Sequence, residues 1–298
     1  MGTKYGVRLV SDSAYLRSKS EISLYLCSMK NIIIVLALSV CVTVAAQKQN
    51  FTAEKNGIKL TGVENPKTFL DAKLSYNDTA LFIEPIFNSF RRREVIDTGK
   101  TIFNFIVDKY QLGAQTPDAD QRLCANSAKG QHIHFILDNQ AYQASYVPDI
   151  TTSLKPGHHV LLAFLSRSYH ESIKTKTAHV LVEFDAGKKG VDQFNEKSPH
   201  LFFSRPKGDY VGKKETAKVL LDFYLINCTL AEKGYKVRAT INGSEFMLYH
   251  WEPYYIEGLP IGESKIKLEL LDKNDKLVLC PFNSTERTIK LLEEPAAK

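Results

Sequence analysis

Five of the eight histidines in this 298-residue chain fall between positions 132 and 170. His132 and His134 are two apart, and imidazoles at that spacing project from one face of a strand, where they can share an ion. With His159 from the neighbouring apolar run they form the candidate metal set, and copper or zinc is the ion class such a set takes. The alternative is that each ring is satisfied by backbone or by neighbouring side chains. Arg167, with His170 three residues on, is the candidate anion site, because a guanidinium binds phosphate or carboxylate bidentately. The plainer reading of Arg167 is a strand-end arginine in an ion pair. Tyr249, Trp251 and Tyr254 are the aromatic candidates, able to stack on sugar rings or anchor a protein partner. Against that, the single tryptophan of the chain would serve as a plug in a sheet core.

No motif calls for an enzyme or a resident cofactor. The chain lacks a Gly-x-Ser-x-Gly elbow, a His-Glu-x-x-His helix, a P-loop and a dinucleotide fingerprint. Ser166, His170 and Glu171 are catalytic residue types, but nearness along a strand is not convergence. Nucleic-acid binding would need a clustered basic stripe, and only Arg91-Arg92-Arg93 comes near one. Cys124, Cys228 and Cys280 show no metal or redox spacing. Cys228 and Cys280 each follow a strand-like run, so a disulfide across one sandwich is the expected pairing, with Cys124 left over.

The elements that carry these residues are strands. Ile133, Phe135 and Leu137 alternate with His132, His134 and Ile136, the period of a strand with one buried face. Asp138-Asn139 supplies turn chemistry, and Tyr142–Tyr146 returns as the hairpin partner. Pro156-Gly157 then launches His159–Leu165, a nearly continuous apolar run. The same grammar recurs about a hundred residues on. Leu137-Asp138-Asn139 matches Ile241-Asn242-Gly243, and Leu154–Gly157 matches Leu259–Gly262 with one residue of slippage. The pattern predicts an all-β chain of two tandem immunoglobulin-like sandwiches, spanning 47–187 and 200–292, with a linker at 188–199 and a tail at 293–298. Ile58–Val63 is read as the opening strand of the first sandwich, and Leu81-Phe82-Ile83 as another.

Ahead of the first sandwich, Met29-Lys30-Asn31, the apolar run Ile32–Val44 and the small residues before Gln47 read as a signal peptide over 29–46, with 1–28 an overextended start. The run is short for a membrane span, so the expected product is an exported chain with no span after cleavage, periplasmic or surface-associated. A lipid anchor at Cys41 is the alternative, disfavoured by bulky Val40 and the apolar residues that follow. Removing 1–46 leaves 252 residues with a net charge of +3, enough for two cores and only weakly basic.

LKPGHHVLLAFLSRSYHESIK, together with YQLGAQT and GQHIHFILDNQAYQASY, resembles a family of exported Bacteroidota proteins built from β-sandwich repeats. The likeness covers roughly residues 57–292. Some relatives carry a phosphopeptide-binding label, which would make Arg167 and His170 phosphate readers. Forkhead-associated domains read phosphothreonine with Ser-Arg-x-His, whereas here Ser166-Arg167-Ser168-Tyr169-His170 is one residue longer and the family's partner loops are missing. The reading is an exported, non-catalytic binding or adhesion module with an unknown protein or glycan partner in the cell envelope. Metal binding through the first-domain histidines and phosphopeptide binding are the alternatives.

Overall fold

The computed structural model describes residues 50–77, 89–91, 95–122, 124–191 and 194–295. The signal peptide, Cys41, the strand expected at Leu81–Ile83 and the last residues of the tail lie outside the described residues. No helix among the described residues is long and apolar enough to cross a membrane.

The chain opens with a hairpin, β1 (Thr52–Lys55) and β2 (Ile58–Gly62). The first sandwich follows as β3 (Lys73–Tyr76), β4 (Ser89–Arg91), β5 (Gly99–Asp108), β6 (His132–Leu137), β7 (Gln143–Ser145), β8 (Asp149–Leu154), β9 (Gly157–Ser166) and β10 (His179–Ala186). The second contains β11 (His200–Arg205), β12 (Asp209–Val211), β13 (Val219–Ile226), β14 (Lys236–Ile241), β15 (Ser244–Leu248), β16 (Tyr254–Glu257), β17 (Gly262–Leu271) and β18 (Thr285–Leu292).

The duplication expected from the sequence is visible in the topology. One five-stranded sheet of the first sandwich has the order β4-β10-β9-β6-β7, and its counterpart in the second is β12-β18-β17-β14-β15. Each begins with a parallel pair, β4 with β10 and β12 with β18. The facing sheets correspond too, β3-β5-β8 in the first and β11-β13-β16 in the second. The turns match atom for atom. The Asp138 carboxylate accepts the Val160 amide at 2.9 Å, and the Asn242 side-chain oxygen accepts the Lys265 amide at 2.8 Å. Asp138-Asn139 and Asn242-Gly243 both take two successive positive φ angles, from 45° to 85°. Such turns suit the twist of a hairpin and favour Asn, Asp and Gly.

One assignment needs correcting. The strand at Ile58–Val63 forms, but β2 pairs with β16 and so extends the second sandwich, not the first. Ile58 and Leu60 enter the second core beside Val219, Leu221 and Ile256. The first sandwich is thus inserted between β2 and β11 of the second. A period-two strand with one apolar face fits either copy, because the two sheets are duplicates and the pattern does not name the partner.

Each sandwich has its own core. Leu74, Phe103, Phe105, Ile133, Phe135 and Leu161 fill the first, and Phe203, Leu221, Phe223, Val237, Phe246 and Ile266 fill the second. The outer faces of two central sheets are also buried, against each other. Val160, Leu162, Phe164, Leu181, Phe202 and Tyr224 belong to a third apolar cluster between the sandwiches. Phe164 stacks on Tyr224 with ring centroids 4.6 Å apart. This explains the unbroken apolar run of β9, from Val160 to Leu165, since a strand covered on both faces has no solvent side to leave polar. A charged pair crosses the same boundary. Lys174 Nζ meets the Asp222 carboxylate, both side chains almost wholly buried, and the Ser172 hydroxyl donates to the same oxygen at 3.1 Å.

Because the interface is packed like a core, Phe164→Ala should destabilise the protein by about 3–5 kcal/mol. Urea unfolding followed by Trp251 fluorescence, which reports the second sandwich, and by far-UV circular dichroism should remain coincident. Two separated transitions in the wild type would show instead that the sandwiches unfold independently.

Candidate functional site

The interface between the sandwiches holds His132, His134, His170 and Trp251 of the residues singled out in the sequence, at two places. At one, β6 turns Ile133 and Phe135 into the first core and so turns His132 and His134 outward, towards the second sandwich. His170 arrives from the loop after β9, its backbone at φ 72°. His132 Nε2 lies 2.9 Å from His134 Nε2 and 3.1 Å from His170 Nδ1. All three rings are buried, with His170 the most accessible at 8% exposure. His132 Nδ1 donates to the Gly130 carbonyl at 2.8 Å, and His134 Nδ1 lies 3.0 Å from the Ser204 hydroxyl on β11. The Tyr142 ring stacks on His134 with centroids 3.6 Å apart, and its hydroxyl is 3.3 Å from His170 Nδ1. Burial holds His132 down to about 4, and pushes His134 and His170 well below the usual imidazole range. The rings are therefore neutral at physiological pH, with lone pairs available.

His170 replaces His159 in the expected metal set. His159 is held elsewhere, between the Asp138 carboxylate at 2.7 Å and the Lys155 carbonyl at 2.8 Å. It sits at the start of β9, beyond the Leu137–Leu161 pair that ends the β6 pairing, whereas His132 pairs opposite Ser166 near the loop that carries His170. Two strands paired antiparallel bring the start of one to the end of the other, a relation that the spacing in the sequence does not reveal.

Arg167 is 2% exposed. Its guanidinium donates to the Pro66 carbonyl at 3.3 Å, the Thr68 carbonyl at 3.0 Å and the Thr68 hydroxyl at 3.2 Å. It thus fastens the segment joining β2 to the first sandwich and offers no exposed cation to a phosphate. Ser166, His170 and Glu171 do not converge on one another. The Ser166 hydroxyl donates to the Arg167 and Glu171 carbonyls, while the Glu171 carboxylate accepts the Tyr255 hydroxyl at 2.6 Å. The expected disulfide is absent, since Cys228, Cys280 and the buried Cys124 are all free thiols.

The second place is a cleft of about 910 Å³ at the other side of the interface. Leu181 and His179 of β10, Leu225 and Ile226 of β13 and Trp251 line it. Trp251 is half-buried, its indole N–H donating to the Phe223 carbonyl at 2.9 Å and its ring set edge-on to Tyr224 at 5.0 Å. The rim is polar and of mixed sign, with exposed Glu64, Lys67, Lys176, Lys197 and Asn227. Of the other aromatic candidates, Tyr249 is half-buried. Tyr254 is wholly buried in the second core, its hydroxyl donating to the His250 carbonyl at 2.7 Å. It is a core residue, because β16 directs alternate side chains to opposite faces and Tyr254 falls on the inner one. His179 and the cleft as a whole escape sequence reasoning, since their neighbours come from distant segments.

No family model matches the chain, and no curated protein matches it. Among solved structures, fibronectin(III)-like modules of Clostridium thermocellum CbhA are 11% identical, with 76% of this chain and 97% of that chain covered and a TM-score of 0.26. The central fibronectin-III array of RIM-binding protein is 8% identical over 79% of this chain and 72% of that one, with a TM-score of 0.24. The Bacteroides ovatus mixed-linkage glucan utilization locus protein SGBP-B, solved with a mixed-linkage heptasaccharide, is 9% identical over 74% and 70%, with a TM-score of 0.20. At these scores the likeness carries no inference about ligand or activity.

His179 supplies a pH signature of the packed interface. Its ring lies 5.2 Å from Tyr224, and burial lowers its pKa from the usual 6.5 to about 4. The unfolded chain therefore takes up the proton first as pH falls. This contribution is complete above pH 6.5 and is lost as pH drops through the interval from 6.5 to 4. His179→Gln should reduce the slope of unfolding free energy against pH in that interval, measured by urea titrations, and leave the region above it flat.

Proposed function

We propose that the chain is an exported, non-catalytic binding module of the bacterial cell envelope, and that the cleft beside Trp251 seats a neutral glycan. The observation that carries this reading is the composition of the cleft, an apolar floor with one large aromatic ring under a polar rim. Sites for small organic ligands have this build, with apolar surface for area and a few polar groups for orientation. Sugar rings present apolar C–H faces to an indole and hydroxyls to carboxylates, amides and ammonium groups. The rim sets Glu64 and Glu196 against Lys67, Lys176 and Lys197, so it presents no strong field of either sign. That balance favours a neutral ligand over a phosphopeptide or an acidic chain. Export rests on the leader over 29–46 and on the resemblance to exported Bacteroidota proteins.

Trp251 is the only tryptophan, so its emission reports directly on the cleft. Titration with neutral oligosaccharides, mixed-linkage glucan fragments among them, should shift that emission saturably. Lys67→Ala at the exposed rim should weaken binding several-fold without changing the melting temperature. A panel of neutral glycans that leaves both emission and melting temperature unmoved would overturn the glycan assignment. The export half is tested separately: the chain recovered from the envelope fraction should begin at Gln47, and an intact leader there would refute cleavage.

A further inference from the structure

The three histidines between the sandwiches take no part in the glycan reading, and their hydrogen bonding is difficult to close with protons alone. The Gly130 carbonyl can only accept, so His132 carries its proton on Nδ1, and the neutral ring leaves Nε2 as a lone pair. Both His134 Nε2 and His170 Nδ1 face that lone pair, at 2.9 and 3.1 Å. If both donate, one lone pair must serve two protons at once. If only His134 donates, the lone pair of His170 Nδ1 lies 3.1 Å from that of His132 and must turn to the longer Tyr142 hydroxyl contact at 3.3 Å.

A cation removes the conflict. With His132 protonated on Nδ1 towards Gly130, and His134 protonated on Nδ1 towards the Ser204 hydroxyl 3.0 Å away, the remaining lone pairs of all three rings point to one centre. The candidate ligand atoms lie within 4.8 Å of one another. Two of the separations, 2.9 and 3.1 Å, are slightly shorter than those between nitrogens bound at about 2.0–2.1 Å in tetrahedral geometry, so a small outward shift of the rings would admit an ion. The outward N–H groups of His132 and His134 then have acceptors, the arrangement by which proteins orient metal-bound imidazoles. We propose that His132, His134 and His170 form a three-imidazole site for a d10 metal ion, zinc(II) or copper(I), with the Tyr142 hydroxyl at its edge.

The surroundings choose between the two ions. The cluster of His132, His134 and His170 contains no carboxylate. Beyond the Tyr142 ring lie two cations, Lys207 at 3.9 Å and Arg205 at 5.3 Å from its centroid. Coulomb repulsion from them is half as large for a monovalent ion as for a divalent one, so the charge balance favours copper(I). Imidazole suits both metals. The three ligands belong to the first sandwich, while Ser204 comes from the second. Binding therefore depends on the two being docked, and an ion would in turn hold the interface closed.

The test uses the full chain stripped with a chelator at neutral pH and then titrated with zinc(II), or with copper(I) under reducing, anaerobic conditions, followed by bound-metal analysis and melting temperature. One equivalent should bind and raise the melting temperature by several degrees, and X-ray absorption should show imidazole nitrogens at about 2.0 Å. His170→Asn keeps a residue tolerant of the left-handed backbone and removes a ligand. It should abolish stoichiometric binding, while His159→Gln should leave it intact. Ser204→Ala, a small change in a packed site, should weaken affinity about 10–100-fold. No binding of either ion would overturn the site, as would binding indifferent to both His170→Asn and Ser204→Ala. Tighter zinc than copper would overturn the charge argument and retain the site. Because the cleft beside Trp251 shares none of these residues, loss of glycan binding and loss of metal binding are separate results.

Discussion

Everything distinctive in this molecule depends on burying the outer faces of two central sheets against each other. An isolated sandwich needs one apolar face per sheet, and its outer faces stay polar. Here β9 and β13 are buried on both sides. Val160, Leu162 and Phe164 meet Phe202, Tyr224 and Ile226 as a core would. The result is a stack of four sheets in which the middle contact has an apolar cluster of its own. Contacts between domains are usually smaller and more polar than this, and allow relative motion.

The insertion of one sandwich into the other reinforces that contact. The chain leaves the second sandwich at β2, builds the whole of the first, and returns at β11, so two crossings join the units. Arg167 secures the outgoing crossing by binding the carbonyls of Pro66 and Thr68. The N-terminal hairpin also has a local use. Placed on β16, it covers the sheet edge there, whereas the corresponding strand of the first sandwich, β8, has no further strand added among the described residues. An open edge is a ready template for pairing with another chain, and covering it is one of the common defences.

Polar groups trapped by this packing are what give the interface its chemistry. Lys174 with Asp222, Glu171 with Tyr255 and the histidine trio with Ser204 all lie where one sandwich meets the other. A buried pair of this kind contributes little over an apolar one, but losing one partner strands the other at a cost of about 3–5 kcal/mol. Such groups therefore fix the docking geometry more than they add stability. The cleft beside Trp251 and the histidine cluster occupy different margins of the same contact. Each is completed by residues that neither sandwich holds alone.

Much of the fold was legible in the sequence. The two-residue period of His132–Leu137, the Asp138-Asn139 and Asn242-Gly243 turns and their shared spacing to the next strand were enough for two related sandwiches, because strand period and turn chemistry are local properties. The same locality explains the errors. Ile58–Gly62 read correctly as a strand but was given to the wrong sheet, and Tyr254 looked like a surface aromatic until β16 turned it inward. His132 and His134 were paired by spacing, while the ring that meets them is His170 and not His159, since the turn that returns His170 to β6 has no signature in residue order. Composition and motif determined the class of fold and the absence of the common catalytic signatures. Only the tertiary structure decided which faces were covered, which histidines met and where a cleft remained. Those depend on contacts between residues far apart in the chain, and hydrophobic burial, which drives them, has no direction of its own.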